Sequence, residues 1–292
     1  MTIPQNNSKQ SSIAPQVGIV ACADDFGLNA EVDGAIVELV SRQRLTAVGA
    51  LVDGPQIHQR AQTLARLDTD VGLHLNFTER WLGVSPATLV MPWRDLVLKS
   101  YLGLLNAQQV TLAIEHQLDQ FEAIFKRPPD FVDGHLHVHQ LPSIRKPLLG
   151  ILKRRYASHL PWLRDTRPNI NVSKAMPLWQ RFKAQVIGFL GAQALIGEAT
   201  KLNFKSNQGF VGAYDFSRPH PPFEQMLKMW LPTLQAGGLL MMHPSQQVLT
   251  NDPMGPSRVQ EFTLLASSAW PELLDANNCK LVRLSQITSS LP

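Results

Sequence analysis

The chain has 292 residues, with 44% apolar side chains, 17% charged side chains and a formal net charge of +4. That balance fits a folded globular enzyme rather than a disordered chain, and a chain this long can bury roughly three quarters of its unfolded surface without disulfides. No Lys/Arg block interleaved with aromatics occurs, so no nucleic-acid partner is expected, and no run of about 18 apolar residues suggests a spanning helix.

Residues 1–16 are polar and rich in Ser, Asn and Gln, which reads as a disordered tail rather than a targeting peptide. Residues 17–292 read as one barrel-like domain with insertions. The run 17–23 (VGIVACA) is continuously apolar, as in a parallel strand buried on both faces. It ends in Asp24-Asp25-Phe26-Gly27. Residues 30–42 have helical spacing, 47–52 form a second strand, 56–67 a helix and 71–77 (VGLHLNF) a third strand. This alternation is the grammar of βαβ units and predicts an α/β fold, a distorted TIM-like barrel with mostly parallel strands.

Residues 78–100 read as a long irregular loop, and 107–125 as one long helix. Residues 131–140 (FVDGHLHVHQ) read as a strand, with further strands at 160–163, 238–242 and 280–284. Residues 177–199 carry Leu178, Trp179, Phe182, Val186, Phe189 and Leu190 at roughly helical spacing. They form either a core or cap helix, or one that contacts a membrane surface or a partner. The two cysteines, Cys22 and Cys279, lie far apart with no C-x-x-C spacing, which points to a reducing, cytoplasmic location.

Polar residues at the C-terminal ends of parallel strands are where such barrels place chemistry. Asp24 and Asp25 close the first strand. Two adjacent carboxylates resist joint ionisation unless a cation compensates, so one could hold a metal and the other act as a base; a helix N-cap is the plain alternative. His74 sits on the third strand, and Asn76 shares its face. In 133–139 the odd positions Asp133, His135, His137 and His139 would line one face of a strand. His135 and His139 would then stand ~13 Å apart, so one histidine is a ligand and the others support it or touch substrate. His243 ends the strand 238–242 and is a candidate general acid. Arg164 either neutralises a carboxylate, binds substrate or makes an ordinary surface ion pair. An Asp and His donor set suits Zn²⁺, Mn²⁺, Ni²⁺ or Fe²⁺ and leaves positions open for water and a carbonyl, which favours hydrolysis.

Four segments together resemble the YdjC-type carbohydrate deacetylase family, whose best-known members act on chitooligosaccharides: 23–28 (ADDFGL), 71–76 (VGLHLN), 133–139 (DGHLHVH) and Met242-His243-Pro244 followed by Arg258 and Glu261. The resemblance covers nearly the whole chain, with Met242 standing where many members have Cys. It implies one divalent metal, Mg²⁺ or Zn²⁺, held by Asp25, His74 and His135, with Asp24 as general base and His243 as acid. It implies an N-acetylated sugar, free or oligomeric, as substrate. Segment 209–216 (GFVGAYDF) is similar to a hopanoid-biosynthesis-associated branch, which brings a lipid-linked amino sugar into consideration. A homodimer is the expected assembly, since such enzymes often associate. A metal hydrolase of another amide or a phosphoester, and a non-catalytic sugar- or lipid-binding barrel, stay open as alternatives.

Overall fold

The computed structural model describes residues 15–81, 89–168, 188, 190–216, 220–249 and 252–287. Strand β1 (Val17–Phe26) lies at the centre of the sheet and is buried from Ile19 onward, as its unbroken apolar run requires. Around it stand β2 (Ala47–Ala50), β3 (Asp70–Leu75), β4 (Phe131–Gly134) and β5 (Trp162–Leu163) on one side. On the other stand β7 (Gly238–Met242) and then β6 (Phe210–Val211), while β8 (Cys279–Leu281) pairs with the start of β1.

All of these pairings are parallel. The two ends of the sheet also meet: the Leu163 amide donates to the Lys205 carbonyl, and parallel bridges join Leu163 to Ser206 and Pro168 to Phe210. The sheet therefore curls back on itself, and the expected distorted (β/α) barrel is what forms.

Helices cover the outside: α1 (Ala30–Ser41), α2 (Ile57–Leu64), α3 (Trp93–Tyr101), α4 (Ala107–Phe125), α5 (Pro142–Arg155), α6 (Ala192–Lys201), α7 (Phe223–Trp230), α8 (Gly255–Ala266), α9 (Ala269–Ala276) and the short α10 (Leu284–Ile287). Their starts follow local chemistry. The Asn29 side chain accepts from the amides of Glu31 and Val32 to cap α1, and Asn106 accepts from Gln109 to cap α4. Neither Asp24 nor Asp25 is the cap of α1, which removes the plain reading of that pair. No helix among the described residues is long and apolar enough to cross a membrane.

Two expectations need correction, and a third falls largely outside the described residues. Residues 131–140 are not one strand: β4 stops at Gly134, and His135–Gln140 form a kinked 3-10 turn with Leu136 and His137 in the left-handed region. The alternation of His and apolar residues mimicked a strand period that the backbone does not follow. Residues 93–100 belong to α3, within the segment expected to be irregular. Of the segment 177–199, residues 177–187 and 189 lie outside the described residues, and 192–199 belong to α6, which buries Leu195, Ile196 and Ala199.

One buried acid ties the base of the barrel together. Asp70, at the start of β3 and fully buried, accepts from the Trp162 indole, the Arg283 guanidinium and the Ser285 amide and hydroxyl. Removing it would leave the buried Trp162 indole and the Ser285 donors without an acceptor and take one of two carboxylate partners from the part-buried Arg283, a loss of about 2–4 kcal/mol. Urea denaturation should therefore show Asp70→Ala destabilised by that amount. Asp68→Ala removes an exposed partner of the same arginine and should change stability by no more than about 1 kcal/mol.

Candidate active site

The functional side chains stand at the C-terminal ends of the strands, around a cavity of about 380 Å³. A shift in the β1–β2 register between Ala23 and Phe26, with Asp25 at φ 68°, bulges the end of β1. That bulge lets both Asp24 and Asp25 line the cavity, although neighbours on a regular strand point to opposite faces. Gly49 on β2 makes room beside them: a Cβ there would lie 3.2 Å from His74 Nδ1 and 3.4 Å from Asp24 Oδ1.

Asp25, His74 and His135 converge closely enough to share one ion. Asp25 Oδ1 lies 3.1 Å from His135 Nδ1 and 3.7 Å from His74 Nε2. Both His74 and Asp25 are held from behind. His74 Nδ1 meets Asp133 at 2.8 Å, in register across the β3–β4 pair, and this leaves Nε2 facing Asp25. Arg258 donates to Asp25 Oδ2 at 2.7 Å, so that Oδ1 is the oxygen that faces His135 and His74. An oriented carboxylate and imidazole backed by such partners fit a divalent cation. Asp24, His74 and Asp133 form a second close group, but there the Arg164 guanidinium already supplies the positive charge.

Arg164 is fully buried. It donates to both oxygens of Asp24 at 2.6 Å, contacts Asp133 at 2.7 Å and reaches Cys22 Sγ at 3.0 Å. Of the roles open to it in the sequence, the structure gives it neutralisation of a carboxylate pair. Asp24 is thus not a free carboxylate but one held in a fork.

The electrostatics follow from burial and these pairings. Burial pushes Asp25 up, yet Arg258, His135 and His243 outweigh it and hold the carboxyl well below the usual range. Burial likewise opposes ionisation of Asp133, but Arg164 and His74 bring it down to about 2. In His74 the desolvation is overcome by Asp133, Asp24 and Asp25, which raise it to about 9. In His243 burial, the largest influence, outweighs the nearby Asp25 and Asp24, with Arg258 adding to it, and lowers the pKa to about 4. Its Nε2 lies 3.9 Å from Asp24 Oδ2, across the site.

The remaining sequence candidates separate. His137 lines the cavity, edge-on to Phe210, and burial holds its pKa well below the usual value. His139 lies beneath, fully buried, with Nε2 bonded to the Arg164 carbonyl; burial lowers it to about 4. Asn76 does not line the cavity: its amide donates to Asp53 and the Glu79 carbonyl and accepts from the amides of Thr78 and Glu79. It shapes the turn after β3.

Further participants had no assigned role in the sequence. Glu261 on α8 accepts from the His243 amide and from the Tyr214 hydroxyl, and burial raises it to about 7. Arg258, one helical turn earlier on α8, backs Asp25. Trp93, Leu136, Leu190, Phe216 and Met254 give the cavity apolar walls. Arg258 and Glu261 share α8 and belong to the signature seen in the sequence, whereas nothing in linear spacing connects the wall residues, which come from separate loops and helices.

Comparison with known proteins agrees with this architecture. A carbohydrate deacetylase of Mus musculus is 33% identical over 144 residues, 44% of this chain and 45% of the relative. A chitooligosaccharide deacetylase of Yersinia pestis (strain Pestoides F) is 29% identical over 143 residues, 47% and 55% of the two chains. The chain spans about half the length of the curated relatives it matches. A crystal structure from Enterococcus faecalis V583, named for cellobiose-phosphate cleavage, superposes with a TM-score of 0.64 at 18% identity, covering 93% of this chain and 99% of the other. A peptidoglycan N-acetylglucosamine deacetylase superposes with a TM-score of 0.50 at 11% identity, covering 93% and 87%. At those identities the likeness is one of fold. The profile of the YdjC-like protein family matches residues 18–276, and the chain belongs to that family.

Proposed function

We propose that the protein is a metal-dependent carbohydrate N-deacetylase, hydrolysing the acetamido group of an N-acetylated sugar. The observation that carries this reading is one cavity in which Asp25, His74 and His135 converge and which Asp24 and His243, 3.9 Å apart, also line. The names of the relatives, carbohydrate deacetylase and chitooligosaccharide deacetylase, support the same class of substrate.

Asp25, His74 and His135 would hold the ion, with Zn²⁺ and Mg²⁺ the first two to test. A divalent ion held there supplies Lewis acidity, polarising the amide carbonyl and making water easier to deprotonate. Asp24 takes the proton from the attacking water, kept in orientation by its two bonds to Arg164. The water oxygen bonds to the carbonyl carbon, the C–N bond breaks, and acetate leaves. His243 delivers a proton to the departing nitrogen. Because burial keeps His243 neutral in the free protein, the proton it delivers is the one Asp24 has collected, 3.9 Å away. His137 is placed to bond the substrate from the cavity wall.

The apolar walls favour a second reading of the substrate, an amino sugar carried on a lipid rather than a free chitooligosaccharide.

Acetate release from N,N′-diacetylchitobiose and a panel of N-acetylated sugars, with and without chelator, tests the reaction. Chelator-sensitive release is expected from at least one of them. Asp24→Asn should lower kcat by 10³-fold or more while metal content, read by atomic emission, stays at the wild-type level; substantial residual turnover would remove Asp24 from the base role. His74→Ala and His135→Ala should each lose 10- to 100-fold or more in metal affinity, measured by competition with a chromogenic chelator.

A further inference from the structure

Leu136 combines two features that folding alone does not favour. Its backbone lies at φ 51°, ψ 27°, followed by His137 at φ 61°, ψ 29°. In that left-handed region a Cβ crowds the following carbonyl, so Gly and Asn are the residues normally found there. The side chain is also 46% exposed, while most large apolar side chains among the described residues are buried. A leucine that is both strained and exposed gains little from the core.

The neighbours explain the path of the chain but not the choice of leucine. Gly134 lets the backbone double back, since a Cβ there would lie 2.9 Å from the His139 amide. His135 then reaches Asp25, and Val138 and His139 enter the interior. Glycine or asparagine at 136 would satisfy the same path with less strain. The leucine side chain instead lines the cavity, whose wall also includes Trp93, Phe216 and Met254. Strain kept at the mouth of a cavity is what ligand contact would offset.

We propose that Leu136 is a substrate-contacting, specificity-determining residue, its side chain packing on the non-polar face of the sugar whose acetamido group sits at Asp25, His74 and His135. The inference rests on the deacetylase reading and adds a residue to it.

The test compares Leu136→Asn, Leu136→Met and wild type, each loaded with Zn²⁺. KM and kcat are measured with N,N′-diacetylchitobiose, and Kd for the same sugar is measured by calorimetry in an Asp24→Asn background, where binding is read without turnover. For Leu136→Asn the expected result is an unchanged or higher Tm, wild-type metal content, KM and Kd raised five-fold or more, and kcat within two-fold. Leu136→Met should stay within two-fold of wild type throughout. A fall in Tm of more than 5 °C for Leu136→Asn would mark the side chain as structural and overturn the proposal. Unchanged Kd and KM would overturn it too, as would failure of the Asp24→Asn protein to bind the sugar at all. Binding without turnover by the wild type, together with no acetate release from any sugar of the panel, would overturn the deacetylase reading instead, with the ratio of Kd values still deciding the role of Leu136.

Discussion

The site is built around a buried arginine. Asp24 and Asp133 are both withdrawn from water, and two carboxylates so placed repel each other and resist ionisation. Arg164, equally buried, stands between them and contacts both. Removing any one member would strand charge in a low-dielectric interior, a far larger loss than the pair contributes when intact. The guanidinium suits the position because its planar fork engages both oxygens of Asp24 while still reaching Asp133.

The orientation of the other groups descends from that pairing. Asp133, kept ionised by Arg164, holds His74 Nδ1, and the opposite nitrogen is thereby turned toward Asp25. Arg258 performs the corresponding service for Asp25 from outside the barrel, on α8. The same helix holds the backbone of His243 through Glu261. Two arginines thus allow Asp24, Asp133 and Asp25 to lie at the end of one barrel, where Asp133 meets His74, Asp25 meets His135 and Glu261 holds the His243 amide.

Some of the backbone irregularity lies at the same end of the sheet. Asp25, Leu136 and His137 all have positive φ, at the bulged end of β1 and in the turn after β4. The strands below are regular and buried, so these departures are held by a rigid frame rather than relaxing into ordinary turns. The apolar cavity walls come from loops and helix ends around that frame, which is where substrate preference can vary without disturbing the charged floor.

Local chemistry alone determined the elements whose faces are uniform. The apolar run of β1, the exact bounds of β7 and the 19-residue span of α4 all matched the fold, because burial on a parallel sheet and helical amphipathicity leave direct marks on the chain. The order of acids and histidines at strand ends also pointed to one site. The turn after β4 was not legible, since alternating His and apolar residues look like a strand until Gly134 allows the backbone to reverse. Only the tertiary structure paired Asp24 with Arg164, 140 positions away, and Asp25 with Arg258, 233 positions away. The sequence by itself determined which residues could carry charge at the barrel's end. Which acid is neutralised, which stays open to a cation and which histidine faces it was decided by through-space electrostatics, and contacts that distant leave no periodic trace in the chain.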